Sequence, residues 1–110
     1  MEYVTVYITT KDPKEAKKIA RLLLKERLIA CANIIPKIES AYWWKGKIES
    51  HPEALLIGKT EKGLEKEIIS FVKKHHSYTV PCVNFLPILK GNPDWLAWLE
   101  KETKNTRKIK

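Results

Sequence analysis

The side chains able to do chemistry in this sequence fall into two groups. His75 and His76 stand side by side a few residues before Cys82, while Trp44, Lys47, Glu49, Lys59 and Tyr78 are spread through the middle of the chain. Imidazole suits copper, zinc and nickel, and a thiolate is a soft ligand for the same ions. His75, His76 and Cys82 are therefore one candidate metal set, with Cu(II) or another divalent cation as the expected ligand. If their helix runs through both histidines, the two rings point about 100° apart, which disfavours chelation of one ion by the pair. A fraying helix end relaxes that constraint, and histidine there also complements the negative end of the helix dipole. A metal site and a helix cap or packing role both stay open. The second group combines cations, a carboxylate, an indole and a phenol, which suit a cleft for a small anionic ligand. Solvated strand lysines are the plainer reading of Lys47 and Lys59.

Little else supports conventional catalysis. The four glycines are scattered, with no phosphate loop, nucleophile elbow or paired-cysteine motif, and a non-enzymatic protein is expected. Cys31 lies in an apolar run and reads as a small core residue. No apolar stretch approaches the roughly 20 residues that cross a bilayer, and the first residues are strand-like rather than signal-like, so the expectation is a cytoplasmic protein without membrane association. The net charge of +8 raises nucleic acid as a partner. Its distribution argues against that, because the basic residues gather on one helix face (Lys14, Lys17, Lys18, Arg21, Lys25) and in the final ten residues. Aromatic residues suited to stacking bases on central strands are also not evident.

The elements that must position these groups follow from periodicity. Tyr3 to Thr9 is rich in β-branched and aromatic residues and predicts a strand. Asp12-Pro13 with Glu15 predicts a helix start, and Ala16, Ile19, Ala20 and Leu23 give that helix, over 13–27, one apolar face. The run from Leu28 to Ile38 predicts a buried strand that Pro36 breaks or bulges. Tyr42-Trp43-Trp44-Lys45-Gly46-Lys47 reads as a hairpin tip, with a bend or bulge at His51-Pro52 before the return strand reaches Thr60. A second helix from Glu61 to about His76 carries Leu64, Ile68, Phe71 and Val72, and places His75 on the same stripe. An edge strand over Pro81–Leu89 and a last helix over 92–102 follow, with Trp95 and Trp98 expected in the core.

This order, βαββαβ plus a C-terminal helix, predicts an α+β ferredoxin-like domain over 1–103, with 104–110 as a basic tail. Both main helices cover one sheet face. The other face and the greasy hairpin need a cover, and self-association is the economical one.

Four segments taken together carry a resemblance. Leu24-Lys25-Glu26-Arg27-Leu28-Ile29-Ala30-Cys31-Ala32-Asn33, Tyr42-Trp43-Trp44-Lys45-Gly46-Lys47-Ile48-Glu49, Lys59-Thr60 and His75-His76-Ser77-Tyr78-Thr79-Val80-Pro81, closed by Trp95-Leu96-Ala97-Trp98-Leu99, resemble the CutA divalent-cation tolerance family. The resemblance implies a tight homotrimer built like the PII signalling proteins, with hairpins paired across subunits and an unidentified protein partner. It also implies a role in divalent-ion tolerance, with copper ligands at His75 and His76; a PII-like scaffold with a small anion in intersubunit clefts is the alternative. Ser77 and Cys82 stand where the family often has proline and an acidic residue, and Ile8-Thr9-Thr10 stands where some members have a cysteine.

Overall fold

Alternate residues of Tyr3–Thr10 point to opposite sheet faces, and Val4, Val6, Ile8 and Thr10 are the buried set. In the computed structural model, which describes residues 2–104, this strand, β1, lies inside a four-stranded antiparallel sheet of order β2-β3-β1-β4. The other elements are α1 (Pro13–Lys25), β2 (Cys31–Trp44), β3 (Lys47–Glu61), a 3-10 turn (Lys62–Leu64), α2 (Glu65–His75), β4 (Val83–Ile88) and α3 (Pro93–Glu102). The α+β ferredoxin-like expectation is met, β4 included as an edge strand.

One core joins the sheet to both main helices: Val6 and Ile8 of β1, Ala54 and Leu56 of β3, Ile19 and Leu23 of α1, and Ile68 and Val72 of α2 are buried together. Each fully buried branched side chain of this kind contributes about 1.5–3 kcal/mol through apolar area removed from water. Gly58 lets β3 pass close beneath the core, since a Cβ there would lie 2.8 Å from Val6 Cγ1 and 3.2 Å from Ile29 Cγ2.

Several boundaries differ from expectation, each for a local reason. α1 ends at Lys25 rather than residue 27, because Arg27 turns into the left-handed region (φ 59°) and the Leu28 amide donates back to the Leu23 carbonyl at 3.0 Å. Leu28 and Ile29 are buried from this turn, and β2 starts at Cys31. Ile35 pairs with Leu55 but Ile38 with Glu53, so β2 carries one extra residue at Pro36-Lys37. The bulge is thus at the proline of β2; His51 and Pro52 pair regularly with Ser40 and Glu39. The arms run to a two-residue turn at Lys45 (φ 49°) and Gly46 (φ 80°), and at roughly 3.3 Å per residue they account for the 48 Å long axis.

Neither tryptophan of α3 is fully buried. Trp98 is 41% exposed and Trp95 half-buried, while Leu99 supplies the buried contact. Polar bonds secure α3: Tyr3 Oη donates to Glu100 at 3.0 Å, Arg27 Nη1 meets Glu102 Oε1 at 2.8 Å, and Thr103 Oγ1 donates to Glu61. Lys104, expected in the tail, is docked, its amide donating to the Arg27 carbonyl and its ammonium meeting Glu67, both at 2.6 Å. The remaining tail, 105–110, lies outside the described residues.

Candidate functional site

The chain between α2 and β4 is tied down by the N-terminal turn of α1 and the end of β1. Asp12 caps α1 by accepting from the Glu15 amide at 2.8 Å, and its own carbonyl accepts from Thr10 Oγ1 at 2.9 Å. Glu15 folds back, accepts from the Lys11 amide at 3.1 Å, and crosses to the 76–82 loop, accepting from the Ser77 amide at 2.7 Å and the Ser77 hydroxyl at 3.0 Å. Burial alone would push its carboxyl upward. The Ser77 hydroxyl and the two backbone amides outweigh burial and hold it below the usual carboxylate value.

The two histidines have different roles. The His76 side chain is fully buried. Its Nε2 lies 2.8 Å from the Thr9 carbonyl, so that nitrogen carries the hydrogen, and its Nδ1 accepts from the Tyr78 amide at 3.0 Å. Both ring nitrogens are engaged by backbone, and neither offers a lone pair to a metal without breaking a bond. His75 closes α2, is exposed, and packs against Phe71 with the rings tilted 43° and their centroids 4.5 Å apart. No hydrogen bond engages its ring among the described residues. Cys82 is half-buried; burial, then the charge of Glu53, pushes its thiol upward against a hydrogen bond with Thr9, which disfavours the thiolate a metal needs. Among the described residues no three His, Cys, Asp or Glu groups gather into a chelating set, so His75, His76 and Cys82 do not form one within the chain.

Below the loop lies a groove of about 710 Å³, walled by β1, the hairpin and residues 77–82. Tyr78 is its hinge point: its hydroxyl donates to Glu53 Oε2 at 2.7 Å, and burial, then that bond and the Glu53 charge, push the phenol well above its ordinary value. Of the five residues expected around an anion cleft, the groove gathers Trp44 and Tyr78, with Cys82 beside them. Lys47, Glu49 and Lys59 are not among its lining residues. Lys47 pairs with Trp44 beside the hairpin turn, Glu49 lies 3.6 Å from His51 Nε2, and Lys59 donates to Asn33 on β2. Among the described residues of one chain, the groove therefore lacks the cations an anion would require.

Glu15, Glu39, Glu53 and Tyr42 are the site residues that sequence reasoning passed over. Glu15 was legible as a helix-start acceptor; its reach to Ser77, 62 positions away, was not. Glu53 heads the buried run Ala54-Leu55-Leu56 and is itself only 6% exposed, an unusual place for a carboxylate.

The family model for the CutA1 divalent ion tolerance protein matches residues 4–102. The chain is 42% identical over 103 residues to the rice "Protein CutA 1, chloroplastic", which covers 94% of this chain and 58% of the relative. It is 43% identical over 96 residues to the Archaeoglobus fulgidus "Divalent-cation tolerance protein CutA", covering 87% and 93%. Rice CutA1 in the crystal superposes with a TM-score of 0.93 at 40% identity, covering 96% and 97% of the two chains. The chain thus spans somewhat more than half the length of the plant relatives it matches. The cytoplasmic expectation does not stand: the rice and Arabidopsis thaliana relatives are named chloroplastic, and the A. fulgidus crystal structure is described as a periplasmic divalent cation tolerance protein. No helix among the described residues is long and apolar enough to cross a membrane.

Proposed function

Because the chain belongs to the CutA1 divalent ion tolerance family, we propose that it serves divalent-cation tolerance as a non-enzymatic homotrimer that binds copper or another divalent ion directly, with His75 as its imidazole ligand. The observation that carries this reading is the division of labour between the histidines: His76 is locked between Thr9 and Tyr78, whereas His75 is exposed with no hydrogen bond on its ring among the described residues. One imidazole does not hold an ion tightly, and no chelating set exists among the described residues of one chain, so the further ligands come from other protomers or from solvent. Assembly is supported by the hairpin, where Trp43 (71% exposed) and Ile48 (66% exposed) present apolar surface on a projecting arm.

Calorimetric titration of the metal-free protein with Cu(II), after light scattering has fixed its mass, tests the reading. Saturable uptake near about one ion per protomer, lost in His75→Ala and kept in His76→Ala, is the expected result. Uptake unchanged in His75→Ala overturns it.

A further inference from the structure

The groove has a charge character that ion binding at His75 does not use. The chain carries 21 lysines and arginines, yet no basic side chain lines this groove among the described residues, while Glu39 and Glu53 do. Glu53 is mostly buried and spends one oxygen on Tyr78; its other oxygen, Oε1, accepts no hydrogen bond among the described residues, none of whose buried side-chain oxygens lacks a partner, so Oε1 opens to solvent. Its negative charge is felt across the groove, where it reinforces burial in holding the Tyr78 phenol and the Cys82 thiol neutral. A carboxylate with most of its surface buried attracts a countercharge more strongly than one in open solvent, because less water screens it.

The walls indicate what kind of cation fits. Tyr7, Tyr42, Trp44 and Tyr78 all line the groove, and aromatic faces attract cations through their ring quadrupole. The volume, about 710 Å³, is that of a small-molecule site and far exceeds a bare ion. Cys82, kept as a thiol, adds a neutral surface rather than a metal ligand.

We propose that this groove binds a small organic cation, a protonated amine with an apolar or aromatic body, whose charge meets Glu53 and whose body lies against Tyr42 and Trp44. His75 does not line the groove, so this site and the divalent-ion reading stand or fall separately.

The test titrates the full chain, in the oligomeric state it adopts in solution, with 2-phenylethylammonium, read by tryptophan fluorescence and by calorimetry. Its anionic isostere, 3-phenylpropionate, is run in parallel. Saturable binding of the ammonium but not the carboxylate is expected, weakened about tenfold or more in Glu53→Gln through loss of a charge-assisted bond. Glutamine still offers Tyr78 an acceptor. Trp44→Leu, on the half-exposed hairpin, is a second variant that leaves the core intact and weakens binding about three- to tenfold. The ammonium affinity stays unchanged in His75→Ala. Absence of ammonium binding, equal or tighter binding of the carboxylate, or affinities unaltered in both groove variants overturns the proposal.

Discussion

Glu15 illustrates how one buried carboxylate joins parts of the chain that its sequence keeps far apart. It accepts three hydrogen bonds, two of them from Ser77, and holds the loop that forms one wall of the groove. Replacing it with alanine strands two backbone amides and a hydroxyl, and should cost about 2–4 kcal/mol in a urea melt. The pH dependence has a definite sign. Because the folded-state carboxyl titrates below its ordinary value of 4.5, its stabilisation is complete above that pH and is lost as pH falls through the folded value. The stability gap between wild type and Glu15→Gln should therefore narrow on acidification below about 4.5; a gap that widens there would refute the assignment. Tyr78 provides an optical check. Its phenol should ionise above the ordinary tyrosine range in an alkaline absorbance titration, and Tyr78→Phe should remove that late component. At this scale the sequence was informative about residue type and silent about partner. The histidine pair was conspicuous, but only the positions of Thr9 and Tyr78 show that His76 fastens the loop while His75 is left exposed. Glu53 stood only as part of the return strand, since its bond to Tyr78 spans 25 positions.

Among the elements, the hairpin turn makes the sharpest prediction. Lys45 and Gly46 both adopt positive φ, the geometry of a two-residue primed turn. Asparagine tolerates that region better than lysine, so Lys45→Asn should raise thermal stability slightly, by about 0.5 kcal/mol. Gly46→Ala should lower it by about 1 kcal/mol through φ strain alone, since open space surrounds a Cβ there. Gly58→Ala fails for the opposite reason: its φ is ordinary, but the new methyl meets Val6 and Ile29, and a loss of about 1–3 kcal/mol is expected. Strand and helix types were legible because strand alternation and the α1 stripe are strong signals. The boundaries were less so. An apolar run cannot distinguish Leu28 and Ile29, which enter the core from a turn, from the strand residues that follow. For the same reason, Trp95 and Trp98 looked like anchors of α3, although Leu99 and a set of polar bonds secure it instead.

For the whole molecule, the exposed hairpin makes association the property to measure. Trp43→Lys with Ile48→Lys should shift the solution mass downward in light scattering and weaken or remove the concentration dependence of melting that an oligomer shows, while the protomer core, remote from the tip, keeps its far-ultraviolet circular dichroism. A variant that retains its assembly would show that the tip is not the contact. The sequence conveyed the need for a cover but not its geometry, since one chain's pattern shows which surface is apolar and not what meets it. The bulge at Pro36-Lys37 has a consequence for how such a protein can change over time. Proximal to it, β2 and β3 are locked into the core through Ile34, Leu56 and Gly58; distal to it, they pair only with each other. Insertions or deletions taken in matched pairs from the two distal arms would alter the reach of the hairpin while leaving every core contact in register. The arm is thus a part whose length can vary between descendants at little risk to the fold that carries it.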